Sequence, residues 1–243
     1  MTSVALTDNG VMHGVIPFYT AAMAAGIKPI IGCEMGFVPS ITEKVKARDK
    51  VILLAMSSQG YQTLTQLVSA AHLSGFYYTP RIDWNLLATY NHDLIMITHG
   101  YNGPLASCIK DHLDDELDSR ARRFQTLFGD RLYCGLQRLG DSKDDQLNRE
   151  TRALAKTLGI PVVATNDVYY ASASDATRRT IVNCIQQGKT LESNTRLSLR
   201  SEAHYFKDSE TMAALFADCP EACEQTQAIS DRITTIDSLT NAD

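Results

Sequence analysis

Six short apolar runs along this chain alternate with stretches of helical spacing, at roughly the interval of βα units. The runs cover residues 4–8, 28–35, 51–56, 93–100, 131–136 and 160–170. That alternation predicts an α/β fold built on a parallel sheet or a barrel. The last run reads Ile160-Pro161-Val162-Val163-Ala164-Thr165 and stops abruptly at Asn166-Asp167. Two others also end in acids, the first at Asp8 and the second at Glu34. In α/β proteins the carboxyl ends of strands open onto ligand and metal sites. Three acidic strand ends therefore predict a carboxylate-rich mouth, or the remains of one.

Helices are expected over residues 11–25, 58–73, part of 103–117, 118–128 and 142–158, with Gly26, Gly129 and Gly159 as stops. Asp83 is placed to cap a short helix reaching residue 87. After Tyr170 the alternation ends. A helix over 173–187, a polar connection with Asn194 and Arg196, helices over 209–216 and 220–233, and a polar tail over 237–243 complete the reading. The 243 residues suffice for one large α/β domain, with or without a small appendage.

A net charge of −5 gives no general basic field for nucleic acid. The clusters Arg120/Arg122/Arg123 and Arg178/Arg179 read as solvated helix faces. Six cysteines show no zinc-ribbon or disulfide spacing; Cys33, Cys134 and Cys184 sit in apolar runs as small buried hydrophobes. Cys219 and Cys223 share a helix face without a metal role. No apolar run reaches membrane-spanning length and no targeting segment opens the chain, so a cytoplasmic location without membrane contact is expected.

Five segments carry a resemblance to a known family. They are Ala5-Leu6-Thr7-Asp8-Asn9-Gly10, residues 25–34 ending Gly32-Cys33-Glu34, Gly75-Phe76-Tyr77-Tyr78-Thr79-Pro80-Arg81-Ile82-Asp83, residues 164–170, and residues 215–222. In this order they resemble the N-terminal region of the alpha subunit of bacterial DNA polymerase III. Its first domain is a polymerase-and-histidinol-phosphatase (PHP) domain. The resemblance implies a distorted (β/α)7 barrel over residues 1–190 that lacks its first β/α unit, with its His-x-His element. It also implies a helical connection toward the polymerase palm over residues 191–243. No catalytic residue of the polymerase is expected here, and Mg2+ would serve the parent polymerase only. The partners implied are the proofreading exonuclease (epsilon) subunit and, through the parent chain, the other holoenzyme subunits and DNA.

Metal-binding members of the family hold His, Asp, Glu and Cys ligands at the barrel mouth. Six such positions fall in this chain. Glu34 and Asp167 are retained, whereas Asn9, Lys50, Gly100 and Tyr169 replace three histidines and a cysteine. Lys50 only donates hydrogen bonds and repels a cation. His99 precedes the cysteine position by one residue, which turns it to the other face unless the loop bulges; Asp8 and His99 are the remaining weak candidates. His13, His72, His92, His112 and His204 read as surface or structural residues. Lys50 is expected to pair with Glu34 or Asp167, replacing metals with a charge pair. The resulting expectation is a structural brace and docking site for the exonuclease. Its alternatives are a metal-dependent phosphoesterase or intrinsic 3′–5′ exonuclease, and a free-standing histidinol-phosphatase-like enzyme. Unpaired strand edges predict marginal stability.

Overall fold

The computed structural model describes residues 1–140, 142–190, 202–236 and 239. Asn194, Arg196 and most of the polar tail lie outside the described residues. In chain order the elements are β1 (Ser3–Leu6), α1 (Val15–Ala24), β2 (Lys28–Phe37), β3 (Asp49–Ala55), α2 (Ser58–Leu73), β4 (Arg81–Ile82), α3 (Trp84–Thr89) and β5 (Leu94–Thr98). They continue with α4 (Pro104–Lys110), α5 (Asp114–Phe128), β6 (Leu132–Gln137), α6 (Ser142–Leu158), β7 (Val162–Thr165), α7 (Ala176–Gln187), α8 (Ser209–Leu215) and α9 (Pro220–Arg232).

Local chemistry explains the clearest boundaries. The Ser57 hydroxyl accepts from the backbone N–H groups of Gln59 and Gly60, satisfying two donors that the first turn of α2 leaves free. Asp83 does the same for Asn85 and Leu86 at the start of α3. Leu64, Leu67, Val68 and Ala71 recur at 3–4 spacing along α2, and all four are buried.

The sheet runs β1-β2-β3-β5-β6-β7, with β4 paired to the far end of β2. Its pairings are parallel except around β3, which is antiparallel to both β2 and β5. The all-parallel expectation therefore fails at β3. Residues 38–48 contain no helix, and without a crossover the chain returns directly beside the strand it left. This reversal has a functional consequence: the start of β3, with Lys50, lies where its neighbours end. The two-residue β4, inside the stretch read only as an aromatic turn, was likewise not anticipated.

The sheet curls without closing, leaving β1 and β7 as its two edges. Its convex face packs Cys33, Met35, Phe37, Leu53 and Met96 under the helices, against Leu64, Leu67, Phe124 and Phe128. Its concave face carries Ile30, Leu54, Ile95, Ile97, Tyr133 and Val163, which bury against Ile229 and Ile233 of the last helical segment. Lys28 Nζ donates to the Ser230 carbonyl at 2.5 Å, and Thr234 N–H to the Met56 carbonyl at 2.8 Å, so α9 is tied across the open face. An apolar concave surface that would otherwise face water is thus covered by the chain itself.

Two surface readings need correction. Arg120 is not a solvated residue: it binds Asp49 at 3.1 Å, the Pro104 carbonyl at 2.9 Å, and Glu116. Arg179 lies over the Tyr169 ring, 4.4 Å from its centroid, at the mouth of the sheet. The cysteines behave as expected. Burial pushes the Cys33 and Cys134 thiols up to about 12, which leaves them protonated and inert.

Candidate functional site

The mouth is assembled by strand alternation. Beyond Leu6 the chain stays beside β2, with the Glu34 N–H donating to the Asp8 carbonyl and the Gly10 N–H to the Glu34 carbonyl. On β2 the concave set is Ile30, Gly32 and Glu34; on β5 it is Ile95, Ile97 and His99. His99 therefore belongs to the inward set, and no bulge is needed. The sequence expectation had taken Gly100 as the inward position, which reversed the parity. Gly100 lies against the Gln137 side chain, and a Cβ there would stand 2.7 Å from Gln137 Cγ.

One ligand-type atom each from Glu34, His99 and Asp167 falls within 4.8 Å of the others. They line a cleft of ≈ 950 Å³ between the two sheet edges, together with Asp8, Asn9 and Tyr169. Asp8 is outside the three-atom cluster; its Oδ2 lies beside Gly14, 3.1 Å from where a Cβ there would stand. Asn9 contributes backbone pairing to Glu34.

Donor groups already stand against these acids. Lys50 Nζ donates to Glu34 Oε1 at 2.5 Å, the ion pair the sequence anticipated. The phenol of Tyr169 is near the Asp167 carboxylate, whose charge, after burial, raises its pKa. His204 Nδ1 sits 2.7 Å from the Asp167 carbonyl and 3.7 Å from its Oδ2, so this histidine, read as merely structural, is part of the mouth. His99 Nδ1 accepts from the Asn102 N–H at 3.2 Å. A neutral ring that accepts at Nδ1 carries its proton on Nε2, which lies 3.4 Å from Glu34 Oε2 and 3.5 Å from the Gln137 amide nitrogen, itself a donor. Separation alone would allow a cation here, but the groups turned inward are an ammonium, an imidazole N–H and a phenol. Donors and a divalent ion compete for the same lone pairs, so as arranged the set does not fit a resident metal.

Burial lowers the His99 pKa from 6.5, opposed in part by Glu34 and then Asp167. Burial, followed by the charges of Asp167 and Glu34, raises that of Tyr169 and keeps it a donor. For His99 the linkage sign is definite. Between its lowered folded value and 6.5 the unfolded chain binds the proton and the folded chain does not, so stability falls as pH drops below 6.5. Urea melts at a series of pH values should show a smaller acid-side loss in His99→Gln than in the parent; superimposable slopes would contradict this.

His99 is also held by its backbone. A Cβ on Gly103 would stand 1.8 Å from the His99 carbonyl oxygen, and neither backbone segment can yield cheaply. Gly103→Ala is expected to cost about 1–3 kcal/mol, as overpacked buried sites do, read as a lower urea midpoint.

Gln137, Asn102 and Arg179 were not picked out from sequence. Alternation along β6 would have found Gln137, since Tyr133, Gly135 and Gln137 share the concave parity. Nothing in the sequence pairs residue 179 with residue 169.

The family described as PHP domain matches residues 1–139 of this chain. Among curated relatives, a DNA polymerase III subunit alpha from Borreliella burgdorferi is 36% identical over 239 residues, 96% of this chain and 21% of the relative. The subunit of the same name from Helicobacter pylori is 34% identical over 96% of this chain, and that from Treponema pallidum 35% over 95%. In both cases the match covers 20% of the relative, so the chain spans about a fifth of the length of such relatives. Among the described residues, no helix is long and apolar enough to cross a membrane.

Proposed function

The chain belongs to the PHP domain family, and from that premise we propose that it is the PHP portion of a DNA polymerase III alpha subunit. In this reading it braces the polymerase core and docks the separate proofreading exonuclease subunit, without hydrolysing phosphoesters itself. The observation that carries the reading is the ion pair that occupies one retained acid: Glu34 is held by Lys50. Lys50 and Tyr169 stand where the family resemblance puts histidine ligands, and Lys50 donates to the acid that a metal would otherwise use. Through Glu34 this contact ties β2 to β3, with His99, just after β5, 3.4 Å from the same carboxylate. Rigid positioning, rather than activation of a metal-bound water, is what this arrangement can do. The parent polymerase would use Mg2+ at a palm outside these residues and would act in the cytoplasm, with DNA and the other holoenzyme subunits as partners.

The three-atom proximity of Glu34, His99 and Asp167 favours one competing reading, a metal-dependent phosphoesterase or 3′–5′ exonuclease. Metal analysis after dialysis against chelator, with a chromogenic phosphodiester assay at added Zn2+ or Mn2+, separates the two. The brace reading expects no retained ion and no turnover; stoichiometric zinc or manganese with turnover would replace it by the hydrolase. A pull-down with the exonuclease subunit tests docking separately, and clean failure with the full-length alpha chain would remove that part.

A further inference from the structure

Beside the mouth, two loops hold exposed rings next to cations that lack carboxylate partners. Phe76 and Tyr78 are 57% and 67% exposed. Lys44, Lys46 and Arg48 are exposed on the loop between β2 and β3. Among the described residues none of these three forms an ion pair, whereas Arg120, Arg122, Arg138, Arg152, Arg178 and Arg232 each do. Glu43 is the exposed acid on the same loop, so the surface keeps a net positive charge.

The rings are held in place. Tyr78 has φ 62°, a left-handed conformation that is an outlier for a bulky residue. The Tyr77 N–H to Thr79 carbonyl bond, 3.1 Å, closes the turn around it. Tyr77 stands edge-on to Tyr78 with centroids 4.8 Å apart, and Lys46 Nζ lies 4.2 Å from the Tyr78 centroid. Beneath them the buried Arg81 donates to carbonyls of both loops: Gly75 on one side, Ile41, Glu43 and Val45 on the other. Strain of this kind persists only where surrounding structure enforces it, and it concentrates at binding sites.

Exposed rings and a strained backbone are unfavourable in the chain alone, and the three cations beside them add a local positive field. We propose that this two-loop surface docks single-stranded nucleic acid, bases stacking on Phe76 and Tyr78 while phosphates meet Lys44, Lys46 and Arg48. Unpaired bases offer a π face at every nucleotide and a charge at every phosphate, the combination these side chains match. A duplex hides its base faces, and an acidic peptide would leave the two rings uncovered. The surface is distinct from the acid cluster, so it stands whether or not the mouth binds a metal.

The test is fluorescence anisotropy of a labelled oligo-dT of ~15 nucleotides titrated with the 243-residue chain. With three phosphate contacts on a single strand, affinity should fall roughly 40-fold between ~25 and ~150 mM salt. Reversing Lys44, Lys46 and Arg48 to Glu should weaken binding at least ~10-fold and abolish most of that salt dependence. Phe76→Ser with Tyr78→Asn, the latter tolerant of positive φ, should weaken it roughly 10–100-fold and leave the salt slope intact. Equal affinity for duplex, a ring variant that binds like the parent, or no binding at the lower salt would overturn the proposal. Photocrosslinking of a 5-bromouracil oligonucleotide to the unaltered chain checks the site without any variant: adducts at Phe76 or Tyr78 are expected, and adducts confined elsewhere overturn it.

Discussion

Zinc added to a Lys50→His variant is expected to be retained after dialysis, whereas the parent chain releases it. Lys50 Nζ lies 2.5 Å from Glu34 Oε1, so any ion bound to that carboxylate would share its oxygens with a fixed ammonium. Two unit charges about 4 Å apart interact by ~4 kcal/mol at the effective screening of a protein surface, and a divalent ion doubles the repulsion. Even one such unit corresponds to roughly a 1000-fold change in apparent affinity. Replacing the ammonium by imidazole removes the repulsion and adds a borderline-soft ligand suited to zinc. The freed Glu34 would then join His99, whose ring must shift its proton to Nδ1, giving up the Asn102 contact, to offer Nε2. Adding Tyr169→His should raise retention further, because a phenol beside Asp167 gives way to an imidazole that can ligate zinc. Isothermal titration with zinc measures the gain, and Glu34→Gln in the Lys50→His background should abolish it. If Lys50→His and the parent bind zinc alike, then Lys50 is not what keeps cations out, and the brace reading loses its principal support.

The reason Lys50 stands there shows what a linear sequence conveys and what it hides. Glu34 and Asp167 were legible as acids of the mouth, because each follows an apolar run, but Glu34 does not end its strand: β2 runs on to Phe37. The ion pair with Lys50 was also legible, once the resemblance had set the residue in the mouth. Strand direction was not: nothing in residues 51–56 distinguishes a parallel from an antiparallel strand, and only the helix-free link over 38–48 hinted at the reversal. His99 was misplaced for a related reason. Parity depends on which residue of a strand faces in, and a one-residue error inverts the whole assignment. Contacts made by residues far apart in sequence, such as His204 with Asp167 and Arg179 with Tyr169, carry no local signal at all. The covering of the concave face by α9 belongs to the same class, since amphipathic spacing shows that a helix packs but not on what.

Arg81→Met is expected to lower the melting temperature more than any surface substitution. The guanidinium is 2% exposed and its four hydrogen bonds go to backbone carbonyls at 2.7–2.9 Å, with the Tyr77 ring 5.3 Å away. No carboxylate is bonded to it among the described residues, so the charge is solvated by the two loops themselves. Methionine keeps the aliphatic stem and leaves those carbonyls without donors. Hydrogen bonds from a charged group contribute ~1.5–3 kcal/mol each, and losing a buried hub of this kind costs about 3–5 kcal/mol. For a domain of this size that is a melting-temperature drop of roughly 6–20 °C. Arg81→Lys should recover only part of it, because a point-like ammonium cannot reach Gly75 and Ile41 on opposite sides as the planar fork does. Arg81 bonds both loops, Lys46 lies over Tyr78 across them, and Pro80 and Ala47 both press on Gly36 at the end of β2. Loosening the hub should therefore also cost the ring surface its geometry, and oligo-dT binding should weaken at temperatures where the variant is still folded. A melt within about 2 °C of the parent, the shift expected of a change worth under 1 kcal/mol, would show that water replaces the guanidinium and that the loops hold without it.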